Sequence, residues 1–318
     1  MTTPQQQARA LVVPAVLVAA ASGAIIAFQG RLNGDLSVAG AGVLVASWLS
    51  YVGTLATVVV VVVLQGHARQ TAGVLRTRGR WWWYAIGLCG IPIVLAFSYG
   101  VPLVGVAVAS VCSVAGQTVS GLVLDARGVG VPATLPLTGR RALAALTAIA
   151  GLGLAVAAGS GNQDVSPAQA VWIGVLLFVA GATLAGQNAG NGKVTQLSGD
   201  PVTAALTSAT GGTVAITAIL GIAAAAGALS GVSLPDEPGQ WYLYLGGPLG
   251  AAITVGAAWS VRRLGTFALT LAIVGGQMIA AVFVDLARGV GVHWATPAAV
   301  LAIALATALG VTTRRRAA

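Results

Sequence analysis

The chain has 318 residues, of which 57% are hydrophobic and only 7% charged, against roughly 25% charged in soluble domains. So little charge cannot coat a water-soluble body of this size, which excludes an ordinary soluble globular protein and calls for lipid as the main solvent. A formal net charge of +9 would by itself suggest nucleic acid, but nearly every Lys and Arg falls in a short gap between apolar runs or at a terminus, a membrane-topology pattern that argues against a nucleic-acid partner.

Apolar runs bounded by charge, Gly or Pro predict ten membrane helices, over 11–30, 42–64, 82–99, 103–124, 142–159, 170–189, 202–229, 241–260, 264–285 and 296–312. The first run follows Arg9 and resembles a signal peptide. It continues to Phe28, about 18 residues, which is enough to span, and it has a counterpart in the second half, so it is expected to be retained. No window shows the period-two alternation of a barrel strand. Cys89 and Cys112 lie inside apolar runs and read as small buried hydrophobes. His67 and His293 sit singly in loops, so no metal site is expected.

Basic residues set the orientation. With a cytoplasmic N-terminus, fourteen of the sixteen Lys and Arg lie inside, and only Arg31 and Arg288 lie outside. Asp35, Asp164, Asp236, Glu237 and Asp285 then also lie outside. An even number of crossings, with both termini cytoplasmic, keeps the Arg69–Arg80 and Arg314–Arg316 clusters on one side.

The chain repeats itself. A shift of 160 places Trp81 on Trp241, Tyr84 on Tyr244, Gly105 on Gly265, Gly116-Gln117 on Gly276-Gln277, and Asp125 on Asp285. A shift of 158 places Gln29 and Asn33 on Gln187 and Asn191. Residues 1–160 and 161–318 are therefore read as two five-helix repeats. Five is odd, so the second copy enters from the opposite side, an inverted arrangement common in secondary transporters. The expected fold is all-α, with ten transmembrane helices as two inverted five-helix repeats in one membrane domain.

QGRLN near the end of the first helix, WYLYLGGPLGA opening the eighth, and the paired GQ-x7-D elements resemble the YdcZ-like branch of the drug/metabolite transporter superfamily (EamA-like, bacterial transporter family-2) over nearly the whole chain. The resemblance implies ten helices, a bacterial plasma (inner) membrane location and transport of a small-molecule substrate. The copies differ: Ala189 stands where Arg31 is, and Pro92 and Pro102 have Ala252 and Arg262 as counterparts.

Polar groups within a span are the functional candidates. Gln117 and Gln277 lie eight residues before Asp125 and Asp285, about 12 Å along a helix. If the two acids mark opposite faces, both glutamines fall toward the middle. They read either as the lining of a central cavity or as helix–helix glue. Gln29 with Asn33, and Gln187 with Asn191, share helix faces near helix ends, suited to capping or ordering a loop as well as to touching substrate. Tyr99 and Trp259 are repeat partners that could face an organic cation or belong to the interfacial aromatic belt with Trp81, Trp82, Trp83, Trp241 and Tyr242. Asp125 and Asp285 end their helices, as structural carboxylates or as proton acceptors.

No Asp, Glu, Lys or Arg lies deep within a predicted span, which disfavours proton-for-cation antiport through a buried acid. No Walker lysine follows a Gly-rich loop, so ATP is not expected to act directly, and no cofactor is expected. An intramembrane enzyme would need a nucleophile or metal set at depth, and none is visible. The functional expectation is a secondary-type transporter working by alternating access. A passive channel or membrane scaffold is the alternative, and a second copy of the chain, as a homodimer, is left open as a partner.

Overall fold

The computed structural model describes residues 12–128, 138–159, 165–289, 297–302 and 304–305. Among the described residues there is no strand. Helix α1, Val12–Leu36, runs past its predicted end at residue 30. Arg31 and Asp35 lie one turn apart and pair at 2.8 Å, so the helix continues after the apolar run stops. A π turn, Ser37–Ala41, with Gly40 at φ 121°, leads into α2, Gly42–Leu64. Next comes α3, Ala68–Arg78, a short polar helix in a stretch the apolar reading treated as a loop.

Trp81–Ala85 forms α4 and passes through a 3-10 turn, Ile86–Gly90, into α5, Ile91–Ala126. α5 breaks at Gly105 (φ 81°, ψ 165°). Then follow α6, Gly139–Gly159, α7, Pro167–Ser198, and α8, Pro201–Ala225. The starts of α7 and α8 are written locally. Ser166 Oγ accepts from the Gln169 amide at 3.3 Å, and Asp200 accepts from Val202 and Thr203 at 3.1 and 2.9 Å. A proline occupies the first turn of each, where its missing N–H is not needed. A 3-10 segment, Pro238–Leu245, opens into α9, Gly246–Ala287. The predicted last span, 296–312, falls mostly outside the described residues.

Six stretches of the described residues are long and apolar enough to cross a membrane. Two of them, Val13–Leu64 with 52 residues and Trp81–Leu124 with 44, greatly exceed the roughly 20 residues of one crossing. Each contains one of the glycine breaks, Gly40 or Gly105. Their outer surfaces are apolar: Val60, Val63 and Leu64 on α2, Trp172 on α7, and Ile279 and Phe283 on α9 are all exposed. Trp81 and Trp241 are exposed as belt residues would be, whereas Trp83 is 1% exposed and packs with Val194 and Ala204.

The two halves are interlocked by backbone contact. A Cβ at Gly276 of α9 would fall on the carbonyl oxygen of Ala20 in α1, and one at Gly23 of α1 on that of Ile273. At a second junction between the halves, a Cβ at Gly116 of α5 would fall on the Phe178 carbonyl oxygen of α7, and one at Gly181 on that of Ser113. Gly116 and Gly276 are repeat partners at 160, and Gly23 and Gly181 at 158. Thus α9, late in the second repeat, packs on the first helix of the first repeat, and α5 does the reverse. Only glycine allows two helices to meet this closely.

Candidate solute cavity

A cavity of about 80 Å³ lies where α1, α2, α5, α7, α8 and α9 meet. A single water needs about 10–15 Å³ on this measure, so the space suits several waters or a small solute. Its walls come in repeat pairs. Ile26 faces it with Leu184, Gln29 with Gln187 and Ser50 with Ser208, each pair 158 apart. Gly90 with Gly250, and Ile93 with Ile253, are 160 apart. The cavity is therefore shared between the repeats, with Asn33, Thr54 and Phe97 of the first as additions that have no lining partner in the second.

The hydrogen bonds repeat as well. Gln29 Nε2 donates to Ser50 Oγ at 3.3 Å and to the Gly246 carbonyl at 2.8 Å. Gln187 Nε2 donates to Ser208 Oγ at 3.1 Å. Both glutamines find room because a glycine faces them. A Cβ at Gly90 would lie 2.6 Å from both Gln187 amide atoms, and one at Gly250 would lie 2.7 Å from Gln29 Nε2. Asn33 also lines the cavity and donates to Ser50 Oγ at 3.3 Å. Its repeat partner Asn191 is buried away from the lining, with Oδ1 unpartnered. None of the lining residues carries a formal charge.

Gln117 and Gln277 lie elsewhere. Gln117 is 1% exposed, and its Nε2 donates to Ser113 Oγ at 3.3 Å. Gln277 is fully buried, with neither amide atom partnered. The residue matching Ser113 at a shift of 160 is Ile273, which offers no hydroxyl. Both glutamines follow a glycine of the interlock, placing them in the helix-packing seams. Tyr99 and Trp259 pack against two separate apolar clusters and do not line the cavity.

Asp285 is a backbone clamp. Val106 N–H donates to its Oδ1 at 3.0 Å, and Ala107 N–H to its Oδ2 at 2.7 Å. The carboxylate thus caps the helix that restarts after Gly105. One turn on, Arg288 reaches Asp35 at 3.2 Å, and Asp35 also holds Arg31. Arg31, Asp35 and Arg288, all placed on the outer side by the charge pattern, form one network, with Asp285 beside it. The side chain of Asp125 lies outside the described residues.

The sequence reading did not single out Ser50 and Ser208. The signal was there: each follows its glutamine by 21 positions. Gly90 and Gly250 also match at a shift of 160, which marks them as repeat partners but not as cavity walls.

A helical bundle of long apolar spans, built from two related halves around an uncharged, mostly apolar cavity with a few polar groups in its walls, defines a multi-pass membrane transport protein. The chain belongs to the family described as "Putative inner membrane exporter, YdcZ", whose model matches residues 14–154 and again 172–312. A protein of known crystal structure aligns over 95% of this chain and 97% of its own, with a TM-score of 0.62 and 15% identity, a likeness of fold. No curated protein matches the chain.

Proposed function

We propose that the chain is a secondary-type transporter of the bacterial inner membrane that exports a small solute by alternating access. Its ten crossings form two inverted five-helix repeats, with both termini cytoplasmic. The carrying observation is the cavity whose walls are repeat pairs. Inverted halves that share one site can exchange roles, so that rocking one against the other opens the site to each side in turn. Gln29 and Gln187 are the polar contacts to the solute in this reading. Gln117 and Gln277 hold the seams along which the helices move, and Asp125 and Asp285 are structural.

The test is chemical access. Ser50→Cys and Ser208→Cys, each in a background with Cys89 and Cys112 replaced by Ala, are labelled with a membrane-impermeant maleimide. Right-side-out and inverted vesicles are compared. Alternating access predicts labelling of both cysteines from both sides. Labelling from one side only, or from neither, would overturn the proposal.

A further inference from the structure

The cavity's chemistry narrows the solute, granted that the cavity is the transport site. Gln29 commits its Nε2 to the Gly246 carbonyl at 2.8 Å. A carbonyl can only accept, so this contact fixes which end of the amide is nitrogen. Gln187 meets Ser208 Oγ at 3.1 Å, and its Nε2 is assigned to that contact by the repeat pairing with Gln29, since a hydroxyl can bond either end of an amide. The Oε1 atoms of both glutamines accept no hydrogen bond from the protein, and both side chains are only half-buried.

Of the other polar groups of the lining, the Tyr51, Thr54 and Thr254 hydroxyls turn their donors on the protein, while the Ser50 and Ser208 hydroxyls accept from the glutamines and donate to none of the described residues. Tyr51 hydroxyl donates to the Gly87 carbonyl at 3.3 Å, Thr54 to the Ser50 and Gly247 carbonyls at 2.8 and 3.0 Å, and Thr254 to the Gly250 carbonyl at 2.8 Å. Within mostly apolar walls, and apart from the two serine hydroxyls, the polar atoms open to a guest are thus acceptor oxygens, with one glutamine oxygen from each repeat. An anion would meet no cationic side chain and would face those oxygens. A cation would meet acceptors but no carboxylate, and leaving a charge uncompensated in a low-dielectric site costs several kcal/mol.

We infer that the cavity takes a small uncharged solute with N–H or O–H donors at both ends, of the diamide or diol type, held between Oε1 of Gln29 and Oε1 of Gln187. Each repeat contributes one acceptor, so a guest with donors at both ends bridges the halves. A guest with a single donor engages only one.

Four probes built on a three-carbon chain separate the possibilities: malonamide (uncharged, donors at both ends), dimethyl malonate (carbonyls without donors), malonate (anion) and 1,3-diaminopropane (cation). Thermal unfolding of the purified protein is followed with each, in the native sequence and in Gln29→Leu/Gln187→Leu. Malonamide at about ten times its dissociation constant raises the midpoint by a few degrees, and the rise vanishes in the double variant. The other three give no glutamine-dependent shift. Should the leucine variant fail to fold, Gln29→Glu/Gln187→Glu keeps size and acceptors while adding charge, and its preference moves to 1,3-diaminopropane.

A glutamine-dependent shift with malonate, 1,3-diaminopropane or dimethyl malonate in the native sequence would overturn the inference. So would the absence of any shift with malonamide. The two-sided cysteine labelling is independent of these probes. If it succeeds while malonamide fails, the solute class is wrong and the transport mechanism stands; if it fails, both fall.

Discussion

Asp285→Asn isolates the clamp at the Gly105 break. The native carboxylate accepts two backbone N–H groups, at 3.0 and 2.7 Å, from a residue only 5% exposed. Asparagine is nearly isosteric but has one acceptor oxygen, so one of the two N–H groups loses its partner and the other exchanges a charged acceptor for a neutral one. A bond to a charged group is worth about 1.5–3 kcal/mol, and an unsatisfied buried donor costs about 1–3 kcal/mol. Because the two overlap, the expected loss is about 2–3 kcal/mol. Reversible unfolding by SDS in mixed micelles measures it. Gly105→Ala strikes the same joint, because its φ is 81° and its Cβ would lie 3.0 Å from Asp285 Oδ2. The two changes together should therefore be non-additive by more than about 0.5 kcal/mol. A structural carboxylate also predicts that solute flux in Asp285→Asn keeps the native pH dependence. Stability within about 0.5 kcal/mol of native, with an altered pH profile, would refute the clamp and restore the proton-acceptor reading.

The packing seams make further predictions. Gln277→Leu removes a buried amide with no partner and is expected to stabilise the fold by about 1 kcal/mol, whereas Gln117→Leu, which gives up the bond to Ser113, is neutral or destabilising; the same SDS titration compares them. Gly276→Val forces α1 and α9 apart and is expected to cost at least the 1–3 kcal/mol typical of overpacking, seen as a lower unfolding midpoint. Asp35→Asn breaks both of its ion pairs, to Arg31 and to Arg288, but these are partly exposed, at 21% for Asp35. The expected stability change is thus below about 1 kcal/mol and shrinks with added salt. Reporter fusions after Arg80 and after Glu237 should mark opposite sides of the membrane.

Much of the fold was legible because lipid imposes a simple rule on apolar length, and most predicted spans overlie an observed helix. The helix ends were less legible. Gln29 lay one residue inside a run judged to stop at residue 30, so it looked terminal. The Arg31–Asp35 pair carries α1 to Leu36, and α7 likewise runs past its predicted end at residue 189 to Ser198. That extension is what moves both glutamines from helix ends into the cavity wall. Gln117 and Gln277 were placed by depth alone, which says nothing about which side of a helix faces the hollow. That angle is set by the adjacent glycines, which press one face of each helix against another backbone. The helix α3 escaped notice because its Arg-rich surface carries no apolar run.

The contact between Gly23 and Ile273 has a consequence for biogenesis. These residues are 250 positions apart, and at about 5–20 residues per second the ribosome takes roughly 12–50 s to travel between them. Throughout that interval the newborn first helix waits in the bilayer without its mate, its stripe of small side chains turned to lipid. Neither half can mature alone. Two separately translated fragments, cut between the repeats, would have to find each other before either became resistant to proteases.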